Sequence, residues 1–181
     1  MLLVVDPQVD FITGSLPVPG AEEAMDALAE YISGADGAYV CKIITADRHP
    51  YSHCSFRRNG GMWPDHCIHD TVGAALWQSV FNAAYSTAGP TVVLHKGESP
   101  DREEYSIFDS PTATGRIRGM VDDYGVTAID VCGLAGDICV LSTLRDAIRL
   151  LPEVRFNVLT AFSPSLDGGA SLSEFIGKNL P

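Results

Sequence analysis

The sequence predicts a three-layer α/β/α domain built on a mostly parallel sheet. Short apolar runs of strand length recur along the chain, and segments with helical spacing or irregular loops separate them. The first of them, LLVVD, is continuous rather than alternating in hydrophobicity, as befits a strand covered on both faces. Strand and helix in alternation imply right-handed crossovers between parallel strands. With 46% hydrophobic and 19% charged residues over 181 positions, the chain fits one globular domain, residues 1–181.

LLVVD (2–6) is the first strand, ending on a carboxylate. After a loop with Gly14, Pro17, Pro19 and Gly20, AEEAMDALAEYI reads as a helix with acids in its first turn. AYVCKIITAD (38–47) is the second strand, again ending on an acid. Residues 48–72 hold Pro, Gly-Gly and little periodicity, and a loop of that length in a compact domain is usually functional. A helix over about 73–88 precedes the third strand, TVVLH (91–95). TATGRIRGMVDDY is helical, VTAIDVCG (126–133) is the fourth strand, and DICVLSTLRDAIRLL is an amphipathic helix. RFNVLTAF is the fifth strand, and a short helix follows Gly169.

Charge and cysteine content bound the function. Twelve Lys+Arg against 23 Asp+Glu leave a net charge of −11, which repels phosphate backbones and argues against nucleic-acid binding. No apolar run approaches the ~20 residues of a membrane span, so no membrane partner is expected. Met1 leads directly into Leu2-Leu3-Val4-Val5 without a basic segment, and the five cysteines are an odd number. A reducing, cytoplasmic setting with free thiols is the expectation.

In parallel α/β sheets, ligands sit beyond the carboxyl ends of the strands. That draws Asp6, Asp47, His95-Lys96 and the loop after Cys132 toward one region. Cys139 lies in GLAGDICV at the turn into a helix, where dipole and free amides favour a thiolate and can hold an oxyanion. An isolated cysteine is more often a small buried apolar residue, and Cys41 and Cys132 fit that description better. Lys96 would be costly to bury without a carboxylate. Asp6, Lys96 and Cys139 together form a meaningful set, an acid to take the thiol proton and a cation to lower both pKa values. Asp47-x-His49 and His66 of Trp63-Pro64-Asp65-His66 offer one oxygen and two imidazoles from a single loop at about 47–70, the donor set of an open divalent-metal site. His53 is a fourth ligand or lies just outside, while His69 and His95 read as structural.

VVDPQVDF, TADRHPYSHCSF, WPDHC, HKG, YSIF and GLAGDICV occur in the order found in the nicotinamidase branch of the isochorismatase-like cysteine hydrolases. The resemblance covers about residues 2–165. It implies a triad of Asp6, Lys96 and Cys139, metal ligands Asp47, His49 and His66 with His53 less certain, and aromatic walls from Phe11, Trp63 and Tyr105. It implies a cis peptide at Leu134-Ala135, which would set the Ala135 and Cys139 amides as an oxyanion hole. The activity implied is hydrolysis of nicotinamide to nicotinate and ammonia through a cysteine thioester, in NAD salvage. One divalent ion is implied, with zinc first and iron or manganese as alternatives. The strand order implied is 3-2-1-4-5, and an exposed sheet edge makes a homo-oligomer an expectation.

Three positions depart from the family pattern. Arg48 stands where an aromatic is usual, which predicts an altered pocket rim. Gly136 replaces a common threonine, which predicts a looser turn. The chain stops where many members continue into a sixth strand. Two other readings remain: an amidohydrolase of the same superfamily acting on a carbamoyl or ureido substrate, whose members generally lack the D-x-H…H loop, and a non-catalytic metal-binding or thiol-sensing domain.

Overall fold

In the computed structural model, which describes residues 1–180, the centre of the sheet is β1 (Leu2–Val5). β2 (Lys42–Asp47) and then β3 (Thr91–Lys96) lie on one side of it. β4 (Ala128–Gly133) and β5 (Arg155–Val158) lie on the other, giving the expected order 3-2-1-4-5 with all pairs parallel. Leu2, Leu3, Val4 and Val5 are all fully buried, because the sheet is covered on both faces. The two-residue repeat of a strand sorts them. Leu2 and Val4 pack with Ile44 and Cys132 beneath α2 (Ala21–Gly34) and α3 (Gln78–Ser86). Leu3 and Val5 pack with Ile43 and Val131 beneath α4 (Pro111–Asp123), α5 (Leu141–Leu150) and α6 (Ala170–Asn179). Among the described residues, no helix is long and apolar enough to cross a membrane.

Several boundaries differ from the sequence reading, the fourth strand starting at Ala128 rather than Val126 among them. The second strand starts at Lys42 rather than Ala38, since its neighbours begin opposite Lys42, at Leu2 and Thr91, and residues 38–41 have no strand to join. The helix over 73–88 is confined to Gln78–Ser86. The residues before it serve the short helix α1 (Val9–Ile12): the carbonyls of Ala75 and Gly73 accept from the amides of Val9 and Asp10. The fifth strand ends at Val158 and passes into a 3-10 turn at Thr160–Phe162. The helix expected from Asp137 begins as a π-helical turn, Gly136–Val140, before α5.

The long loop after β2 is folded on itself. His49 pairs with Ile68 and Phe56 with Trp63 as isolated parallel bridges, so the two ends of the loop run side by side. The His49 amide donates to Cys67 O at 3.0 Å and the His69 amide to His49 O at 2.9 Å. This pairing is what brings His66 beside His49.

Candidate active site

The strand register itself assembles the charged centre. Asp47 and Lys96 are direct partners at the ends of β2 and β3 and share one face of the sheet. Lys96 Nζ lies 2.5 Å from Asp47 Oδ1, 2.9 Å from Asp6 Oδ2 and 3.6 Å from Cys139 Sγ. Asp6, just beyond β1, has φ of 47°, a left-handed conformation that Asp tolerates better than most residues. Its Oδ1 accepts from the Thr45 hydroxyl at 2.6 Å. Its Oδ2 accepts no aligned hydrogen bond despite the nearby ammonium. One side-chain atom each of Asp6, Asp47 and Cys139 lies within 4.8 Å of the others. The structure therefore brings Asp6, Lys96 and Cys139 together, all buried.

Burial sets the protonation states here. It pushes the Asp6 carboxyl up, and Lys96 only partly offsets that. Burial likewise pushes the Cys139 thiol well above its ordinary value, against the pull of Lys96. Burial therefore works against the thiolate that the turn was expected to favour. Burial opposes the Lys96 charge too, but Asp47 and Asp6 outweigh it and raise its pKa. At Asp47 burial favours the acid form, yet Lys96 and His49 hold it below the ordinary carboxylate range.

Gln8, which the sequence reading passed over, fixes Asp47 from behind. Its side-chain amide donates to Asp47 O at 2.8 Å and accepts from the Asp47 amide at 2.7 Å. Gln8 is fully buried, and no composition or spacing signal marks it.

Ligand atoms of Asp47, His49 and His66 lie within 4.8 Å of one another. His49 Nδ1 faces Gly97 O at 2.9 Å and His66 Nδ1 faces Pro64 O at 2.8 Å. A carbonyl only accepts, so both Nδ1 atoms carry hydrogen, which turns the His49 Nε2 toward Asp47 Oδ2 at 3.6 Å and leaves the His66 Nε2 as an acceptor. One carboxylate oxygen and two oriented imidazoles fit a divalent ion. His53 differs. Its Nε2 faces Arg102 O at 3.1 Å and must donate, while its Nδ1 takes the Ser55 hydroxyl at 2.7 Å. Both ring nitrogens are occupied, and His53 stacks on His49 with centroids 4.0 Å apart.

Gly97 has φ of +69°, and a Cβ there would run into the His49 ring. Gly97→Ala is therefore expected to swing His49 aside and weaken Zn²⁺ binding by about 10- to 100-fold, the range for losing support of a ligand. Competition against a chromogenic chelator measures it, and unchanged affinity counts against this geometry.

A pocket partly open to solvent lies over these groups. Phe11, Trp63 and Tyr105 all line it, with Asp47, His66, Ala135 and Cys139 at its base. The Trp63 indole N–H donates to the Tyr105 hydroxyl at 3.0 Å, locking two walls together. Leu134–Ala135 is a cis peptide, and the Ala135 amide has no hydrogen-bond acceptor among the described residues. Glu103 and Leu166 also line the pocket and were not anticipated. Glu103 lies in the acidic stretch Asp101 to Glu104, which reads as an ordinary solvated run. Leu166 is held by its neighbours' geometry, the Leu166 and Asp167 amides donating to Asp137 at 3.0 and 3.1 Å.

Two departures have structural answers. A Cβ at Gly136 would collide with Ser165 Oγ and Ser163 O, so that turn is closely packed by the following loop rather than loosened. Arg48 faces outward to Glu98 and Asp70, at 3.2 and 3.6 Å, and does not line the pocket. Among the remaining histidines, His69 pairs with exposed Asp70 and His95 is exposed.

An Asp–Lys–Cys cluster at the carboxyl edge of a 3-2-1-4-5 parallel sheet defines the class: the chain belongs to the isochorismatase domain family, whose model matches residues 1–150. Within it, the chain is similar to the nicotinamidase of Escherichia coli (strain K12), with 31% identity over 88% of this chain and 80% of that protein. The pyrazinamidase of Pyrococcus horikoshii in complex with zinc superposes with a TM-score of 0.82 at 31% identity, covering 99% of this chain and 95% of the other. An L. infantum protein in complex with nicotinate gives 0.84 at 28% identity, covering 99% and 89%.

Proposed function

We propose that this chain is an amidohydrolase that converts nicotinamide to nicotinate and ammonia, with Cys139 as nucleophile. The observation that carries the reading is the buried contact of Cys139 with both Asp6 and Lys96 beneath an aromatic-walled pocket. The similarity to the Escherichia coli nicotinamidase supports the substrate. As Cys139 Sγ bonds to the amide carbon, its proton passes to Asp6 Oδ2 and the carbonyl electron pair moves onto oxygen. The amides of Ala135 and Cys139 hold that oxyanion. Collapse breaks the C–N bond, and the Asp6 proton leaves with ammonia, giving a thioester. A water then attacks the thioester while giving its proton to Asp6. The sulfur departs, recovers that proton, and nicotinate is released. Lys96 stays charged throughout and keeps Asp6 able to lose its proton.

Phe11, Trp63 and Tyr105 clasp a flat ring. Asp47, His49 and His66 are the metal ligands of this reading, and zinc is the ion favoured by the zinc-bound pyrazinamidase neighbour. When bound, the ion supplies a Lewis-acidic point for the pyridine nitrogen, which orients the ring over Cys139. The whole chain acts as one unit, with residues 47–70 as its metal loop. Five free cysteines without a disulfide fit a cytoplasmic setting.

Purified protein is expected to release ammonia and nicotinate in equal amounts from nicotinamide. Thorough chelation is expected to lower kcat/KM by about 100-fold or more, with recovery on adding Zn²⁺. No ammonia from nicotinamide under any metal condition overturns the reading.

A further inference from the structure

A second cluster of donors adjoins His49. A second triplet, His49, His53 and Glu103, also has its ligand atoms within 4.8 Å of one another, and His49 belongs to both sets. His53 is withdrawn from the second set by its bonds to Arg102 O and Ser55. That leaves Glu103 facing the shared His49. It is half-buried, lines the pocket, and has no cationic side chain within 4.0 Å among the described residues. Among the described residues, the only hydrogen bond it receives is from the Glu104 amide at 3.3 Å.

The strap that carries Glu103 is built to hold it there. Lys96 Nζ donates to Glu104 O at 3.2 Å, the Gly97 amide donates to Glu104 Oε2 at 2.8 Å, and His53 donates to the Arg102 carbonyl. Glu103 is thus flanked on both sides by bonds to the centre itself.

We propose that Glu103 is the fourth protein donor to the divalent ion held by Asp47, His49 and His66, in the role the sequence reading had given conditionally to His53. The inference rests on the metal-site reading above. It gives His53 a different task, fixing the Arg102–Glu104 strap and stacking behind His49.

The test is Zn²⁺ affinity of the full chain carrying Glu103→Gln, an isosteric change that leaves the strap's bonds in place. The Kd is expected to weaken by about 10- to 100-fold, with the apo melting temperature close to that of the parent. The Co²⁺-loaded protein is expected to change its visible absorption, which reports the coordination shell and would not respond to a merely structural residue. A Zn²⁺ Kd within twofold of the parent, or a weaker Kd with an unchanged Co²⁺ spectrum, overturns the proposal. Failure to release ammonia from nicotinamide would overturn the proposed function instead, and leaves the affinity comparison to stand or fall separately.

Discussion

Cys139→Ala is expected to lower kcat on nicotinamide by about 10⁴-fold or more while leaving the fold and ring binding in place. The magnitude follows from what is removed: without the sulfur no covalent intermediate forms, and Asp6 has no proton to accept. The backbone and pocket walls stay as they are, and Lys96, which loses its 3.6 Å contact with the sulfur, keeps its two carboxylate partners. Nicotinamide binding, followed through quenching of Trp63 fluorescence, should stay within about threefold of the parent, because Phe11, Trp63, Tyr105 and the metal donors are untouched. A variant that retains a tenth of parental activity removes Cys139 as nucleophile.

The pH dependence of the parent enzyme follows from the same two groups. Asp6 must be ionised to accept the proton, and burial raises its pKa. As pH falls through that raised value the base is lost, so kcat/KM should decline on the acid side at a pH above the ordinary carboxylate range. Cys139, also raised, enters each cycle as a thiol, so no gain in rate is expected from a pre-formed thiolate near neutrality.

The fold was legible because apolar-rich segments of strand length, LLVV most plainly, alternate with helical ones, and the strand ends carry the chemistry. Asp47 and Lys96 illustrate it: both end strands, and the register makes them neighbours. What escaped depends on pairing between distant segments. Residues 73–77 read as helix by composition, but their carbonyls and amides are engaged by Pro7, Val9 and Asp10. Glu103 and Gln8 escaped for a related reason. A carboxylate in an acidic run and a glutamine beside a proline look ordinary until the sheet and the loop are folded over them. The Cys139 environment misled in the opposite sense, since the local signal favours a thiolate and only the three-dimensional burial reverses it.

Lys96→Met is expected to be the most damaging single change to the fold. Lys96 is fully buried between Asp6 and Asp47, themselves 0% and 4% exposed. Removing one member of a buried ion cluster leaves uncompensated charge, at a cost of about 3–5 kcal/mol. Measured on metal-free protein, where no ion relieves Asp47, the deficit should be largest at neutral pH. Without the ammonium both carboxyls are raised above their unfolded values. Stability from such groups is present in acid, where they are protonated, and is lost as pH rises through their folded-state values. The deficit should accordingly shrink between pH 7 and pH 5 in urea titrations. A double variant, Lys96→Met with Asp6→Asn, should recover part of it, because the stranded negative charge is removed along with its partner. If instead the single variant matches the parent, or its deficit is the same at both pH values, then Lys96 contributes packing alone and the electrostatic account of this centre fails.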